Sequence, residues 1–302
     1  MTERVVESTS ITGQTTFAHG STSFMKYMDT GSDKWCRVSG SGGAPYSVVV
    51  GPDGVPNKII SGKIRTSSTP YYVDIAEGHV TDHTRVGVFG HNPDVGTALE
   101  TVSDLGGLMP YLPSGSLLQI TSDSELDHYT GSGARVLHLT GLDINYESIT
   151  DDIQMSGSVA VPGIVEFYRI HQCSVTTVGA GGVNAGAIHV NGIGGAIEYR
   201  HIEEGMGYSH GANYTVPSGS SFYITNFNAT EASTKGSQIL IFVRPFGLSW
   251  LAIRTFTLLD SVISINIPIP YPISAKTDIE VRAKAILAGA NVTAGVEGWV
   301  ET

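Results

Sequence analysis

The chain has 302 residues, 41% of them hydrophobic and only 15% charged, with a formal net charge of -11. That length and apolar content support one large or two medium cores and exclude a disordered chain. The acidic balance, with Arg4, Lys26, Lys34, Arg37, Lys58, Lys63 and Arg65 scattered rather than clustered, excludes a basic stripe for nucleic acid.

From the N-terminus, residues 1–14 alternate polar and apolar and carry neither the basic region nor the apolar core of a signal peptide. Gly40 to Gly43 reads as a flexible patch. Residues 47–50 form a β-branched run, Gly51-Pro52-Asp53-Gly54 is a turn signal, and residues 57–65 read as the returning strand. Residues 70–75 and 85–89 read as further strands. One helical candidate spans 97–105, with Gly106-Gly107 as its C-cap. A composition shift near residue 85 divides a Ser/Thr/Gly-rich small β module or arm (1–85) from a strand-dense region (86–302).

The clearest hairpin runs from 134 to 155, with Val136, His138 and Thr140 on one face and Arg135, Leu137 and Leu139 on the other. Strand signals recur at 165–178, 187–190, 197–202, 220–230, 238–244, 253–259, 262–267, 278–285 and 295–300, punctuated at Val161-Pro162 and at Val216-Pro217-Ser218-Gly219. Regular short strands with turns between them predict an all-β fold, a β-sandwich of jelly-roll type over 86–302. The apolar stretch 248–273 contains Arg254, Asp260, Asn266, Pro268, Pro270 and Pro272, so it does not read as a membrane-spanning helix. Proline cannot donate to a sheet ladder, so residues 267–273 are expected at an edge or along a surface, covered by this chain or by a neighbour.

No residue is assigned a catalytic, cofactor-binding or metal-binding role. His79 and His83 have the spacing of a helical zinc pair, but their flanks read as strand and loop and the motif's glutamate is replaced by Val80. Ser122, Asp123, Ser124, Glu125 and Asp127 lack the spacing of a calcium loop and read as a solvated loop. The glycines between 179 and 195 are followed by strands, not by the helix that a phosphate cradle requires. Asp151-Asp152 and Glu203-Glu204 are adjacent, so on a strand each pair points to opposite faces. Cys36 and Cys173 read as two unrelated buried thiols. Tyr71, Tyr72, Tyr111, Tyr129, Tyr146, Phe246 and Trp250 lie near predicted turns or strand ends, where such rings plug a core, anchor an interface or stack on sugars. With Pro268, Pro270 and Tyr271, all of these except Tyr146 are the interface candidates.

Residues 88–97 (Val-Phe-Gly-His-Asn-Pro-Asp-Val-Gly-Thr) with Gly106-Gly107-Leu108 resemble a family of virion structural proteins of tailed bacteriophages, marine ones especially. So do Gly141-Leu142-Asp143 with Asn145-Tyr146, Val243-Arg244-Pro245-Phe246-Gly247, and residues 277–285 with Gly298-Trp299. The resemblance covers roughly 86–302 and implies a place in a virus particle, as a decoration, neck, tail or fibre component assembled in a host cytoplasm. It carries over no catalytic residue. A charged fraction well below the ~25% of ordinary soluble domains fits that setting, because such a surface is poorly defended against other surfaces. The expected partners are further copies of the chain (a trimer by analogy) and other virion proteins, with no direct nucleic-acid contact. The rival readings are a receptor- or glycan-binding virion protein using loop aromatics, and a depolymerase with carboxylates gathered from distant strands.

Overall fold

Alternation of side-chain size and polarity becomes alternation of burial along the strands. In Ser237-Gln-Ile-Leu-Ile-Phe-Val-Arg244, every second residue (Ser237, Ile239, Ile241, Val243) is buried and those between are half-buried. The computed structural model describes the backbone of residues 14–19, 22–29 and 34–38, and residues 71–302, with side chains from 73 onward. The chain divides into two compact units, Met1–Tyr71 and Tyr72–Thr302, upstream of the composition shift near residue 85. In the first unit, β1 (Gln14–His19), β2 (Thr22–Asp29) and β3 (Lys34–Val38) form an antiparallel sheet in that order. The turn and strands expected at 47–65 lie outside the described residues.

The boundary between the units falls at the first residue of α1 (Tyr71–Ala76), which forms where a strand was expected. Six residues are too few to show helical periodicity in sequence. The helix is closed by Gly78, whose φ of 73° lies in the left-handed region that glycine enters without steric cost, and Gly78 N–H donates to the Ile75 carbonyl. The rest is β: β4 (His83–Val95), β5 (Glu100–Thr101), β6 (Leu118–Ser122), β7 (Ala134–Leu142), β8 (Ser148–Gln154), β9 (Val161–Pro162), β10 (Arg169–Val178), β11 (Ile188–Gly192), β12 (Glu198–Ile202), β13 (Asn213–Thr215), β14 (Ser221–Glu231), β15 (Ser237–Arg244), β16 (Leu251–Leu258), β17 (Ser261–Ile273), β18 (Asp278–Ala285) and β19 (Ala290–Glu301). The helix expected at 97–105 is absent. Thr101 instead pairs with Arg282 of β18, and Gly106 and Gly107, both at positive φ, turn the chain back.

All pairings in the second unit are antiparallel, in two pairs of sheets, each pair sharing one core. Core 1 lies between the sheet β13-β18-β15-β16 (β5 also joins β18) and the sheet β17-β14-β19-β4. Its largest fully buried rings are Phe222 and Phe227. Core 2 lies between β10-β7-β8 and β12-β11-β6-β9, around Phe167, Leu137, Leu139 and Ile188. The single core implied by one sandwich over 86–302 is therefore two. The segment building core 2 is an excursion between β5 and β13. Its ends run side by side: Ser103 pairs with Gly211, and Ala212 N–H donates to the Val102 carbonyl at 2.9 Å. The hairpin expected at 134–155 is β7–β8, with Leu137 and Leu139 inward and Val136, His138 and Thr140 outward.

Candidate functional site

β18 alternates charged and aliphatic residues. Ile279, Val281 and Ala283 enter core 1, while Asp278, Glu280 and Arg282 share the opposite face, as the two-residue period of a strand requires. That face is buried too. Register places Arg244 of β15 directly opposite Asp278 on one side and Thr215 of β13 on the other. Asp278 Oδ1 accepts from Thr215 Oγ1 at 2.7 Å and from Arg169 Nε at 2.8 Å; Oδ2 accepts from Arg244 Nε and Nη2 at 2.8 and 2.6 Å. Arg169 comes from β10, which borders core 2, so one carboxylate ties the two cores together. Glu280 accepts from Arg282 Nε at 2.6 Å, Thr101 Oγ1 at 2.9 Å and the Tyr111 hydroxyl at 2.7 Å.

Aromatic rings cover the guanidinium faces. The Arg169 guanidinium lies 4.0 Å from the Tyr168 centroid and 4.9 Å from Tyr111; Arg244 lies between Tyr111 (4.7 Å) and Trp250 (4.6 Å); Arg282 lies between Trp250 (4.4 Å) and Phe242 (4.7 Å). Burial, then the Glu280 charge, pushes the Tyr111 hydroxyl well above the usual phenol range. Burial opposes the charge on Arg169, but its hydrogen bond to Asp278 and the charge there outweigh this and raise its pKa. Buried charges survive where they are paired and hydrogen-bonded, and this seam satisfies both conditions.

The interface candidates separate into distinct places. Tyr111 and Trp250 belong to the seam and offer no free stacking platform. Phe246 sits at its rim, exposed, edge-on to Tyr146 with Lys276 5.6 Å from its ring. Tyr129 lies in the loop between β6 and β7, exposed and 4.1 Å from His128. Tyr71 and Tyr72 are in α1, with side chains outside the described residues. Pro268, Pro270 and Tyr271 lie on β17, the outermost strand of its sheet, where prolines forfeit no ladder hydrogen bond. Between the pairs Asn226–Asn266 and Ile224–Tyr271 the register shifts, and residues 267–270 have no ladder partner on β14.

β17 and β16, joined by a tight turn at Leu259-Asp260, close one flank of core 1 incompletely. Their core-facing Ile253, Phe256, Ile263, Ile265 and Ile267 are only half-buried. Val262 is 72% and Ile269 85% exposed, and Leu251 and Leu259 are also exposed. β16, like β17, is the outermost strand of its sheet. A long apolar edge of this kind is uncommon on a protein that remains alone.

Several of the other polar groups weighed in the sequence have structural partners. Asp127 is fully buried and accepts from Ser122 Oγ, Ala134 N, Ala185 N and Gly186 N, so it pins two loops. Asp151 and Asp152 face opposite ways: the first accepts from Ile164 N, the second meets His138 at 2.8 Å. His79 meets Glu77 and Asp74 beyond the end of α1, whereas His83 begins β4, so no helix aligns them. Burial pushes the Cys173 thiol up to about 12, which makes it inert as a nucleophile. A cleft of about 210 Å³ contains His171 and Ser209. The Nε2 of His171 accepts from Thr215 N–H at 3.3 Å, and Ser209 Oγ accepts from Cys173 N–H at 3.0 Å. Burial, aided by Arg200, lowers the His171 pKa to about 3. One cluster escaped the sequence reading: His189, Glu198 and His201, on β11 and β12. Their spacing of nine and three residues has no strand periodicity, and a β-bulge brings them together.

No family model matches the chain, and no curated protein matches it. A solved structure of infectious bursal disease virus, Gt strain, aligns over 72% of this chain and 79% of that chain, at 9% identity and a TM-score of 0.13. A TM-score that low carries no argument about fold.

Proposed function

We propose that the chain is a non-enzymatic structural subunit of a tailed-phage particle, working as a homo-oligomer that docks onto other virion proteins. The reading takes the paired sheets around core 1 as a jelly-roll-type sandwich, with residues 1–85 as an attachment module. What supports assembly is the open flank of β16 and β17, where aliphatic side chains aimed at the core stay half-covered and Val262 and Ile269 project outward. Closing that flank against a second copy removes apolar area from water at ~25 cal/mol per Å², offset by the entropy of association. The low charged fraction lowers the repulsion that would keep copies apart.

The test is solution mass by light scattering on the full chain and on a Val262→Lys/Ile269→Lys variant. The expected result is an oligomer, three copies at first guess, that dissociates in the variant while circular dichroism is unchanged. A wild type that is monomeric at every concentration overturns the reading. A monomer that binds host polysaccharide through Tyr129 favours the receptor-binding alternative in its place.

A further inference from the structure

β11 and β12 pair antiparallel, with His189 directly opposite His201, so both imidazoles leave the same face of the hairpin, their centroids 5.0 Å apart. Glu198 is three residues before His201, and a regular strand would send it to the opposite face. The register shift between Val190–Arg200 and Asn191–Glu198 skips Tyr199, which turns into core 2, and Glu198 emerges beside the two rings. Its Oε1 lies 2.8 Å from His189 Nδ1 and 2.9 Å from His201 Nδ1. The remote ring nitrogens also face carboxylates: His189 Nε2 is 3.2 Å from Asp123 Oδ1, and His201 Nε2 is 3.6 Å from Glu203 Oε1.

We propose that His189, His201 and Glu198 bind a first-row divalent cation, Zn²⁺ being the best fit, through the two Nδ1 atoms and one Glu198 oxygen. The three ligand atoms lie within 4.8 Å of one another, half-buried on one face. A tetrahedral site with ligands at 2.0–2.2 Å separates them by roughly 3.3 Å, so the two Glu198–histidine distances need open by only about half an ångström. The ligand set of two imidazoles and one carboxylate suits zinc, nickel or copper rather than calcium or magnesium. The outer carboxylates supply what such histidines use: with Nε2 protonated, His189 donates to Asp123 and His201 faces the Glu203 carboxylate at 3.6 Å, which leaves the Nδ1 lone pairs for the metal. On binding, a ring whose Nδ1–H faced Glu198 changes tautomer, its proton passing to Nε2 beside the outer carboxylate. Water fills the fourth position. The cation would cross-link β11 to β12 on the face away from core 2.

Calorimetric titration of the full chain with ZnCl₂ is expected to show one saturable site and a raised melting temperature. His189→Ala and His201→Ala should each weaken binding at least tenfold and remove the thermal shift, and Glu198→Gln should weaken it less. His79→Ala, which alters the separate cluster of Asp74, Glu77 and His79, should change nothing. Should an alanine variant misfold, His189→Gln and His201→Gln keep a polar side chain of similar bulk. Wild type that neither takes up Zn²⁺ nor gains thermal stability at millimolar metal overturns the proposal, as does binding that persists unchanged in the double histidine variant.

Discussion

Asp278 is the residue on which the second unit's polar interior turns. Three side chains donate to it, and removing it leaves Arg169 buried with its Nε unpaired. Asp278→Ala should destabilise by about 3–5 kcal/mol, read from urea unfolding, whereas Tyr111→Phe, which leaves Glu280 its two other donors, should cost about 1 kcal/mol. His171 gives a pH signature. With a folded pKa of about 3 against 6.5 unfolded, the unfolded chain binds the extra proton first, so stability is full above pH 6.5 and falls as pH drops toward 3. His171→Gln keeps an acceptor for Thr215 N–H; its stability between pH 6.5 and 4 should vary less steeply than that of wild type, and equal slopes would refute the assignment. Of this seam only the rings Tyr111 and Trp250 stood out beforehand; its charges did not. Alternating Asp278, Glu280 and Arg282 with aliphatics is the pattern of a half-solvated strand, and only a second layer of structure, carrying Arg169 from more than a hundred residues upstream, shows that the charged face is interior.

Strands with a clear two-residue period, such as β7 and β15, were readable because their alternation coincides with burial on a core. So was the peripheral place of residues 267–273, since proline chemistry forbids a central position. The failures are physical too: α1 is shorter than two helical turns, and residues 97–105 carry an apolar content that their pairing with β18 overrides. A close backbone approach adds a constraint that no periodicity reveals. At Gly298, next to the bulge where Thr225 leaves the ladder, a Cβ would sit 1.8 Å from the Tyr223 carbonyl oxygen. Gly298→Ala should therefore force β14 and β19 apart and cost about 1–3 kcal/mol, measurable as a lowered denaturation midpoint and faster amide exchange at the flanking residues.

Across the whole molecule, the all-β class was evident, whereas the number of cores was not, because alternation tells which residues are inside without telling which sheet they face. Phe167 and Phe222 illustrate this: both are fully buried, each in a different core. The bond between Arg169 and Asp278 couples the two, so hydrogen exchange in β7 and β15 should show matching protection in wild type and diverge in Asp278→Ala.

The side-by-side exit and re-entry at Ser103–Gly211 has an evolutionary reading. A segment that leaves and rejoins through one doorway is a cassette by topology, yet this host asks more of it than two neighbouring attachment points, because Arg169 and Tyr111 within it serve the carboxylates of Asp278 and Glu280. Exchanging that cargo for another would redress the molecule's exterior only where the newcomer also brings a cation to Asp278 and a donor to Glu280, so a lineage that varies what it presents is held to inserts that keep those two groups.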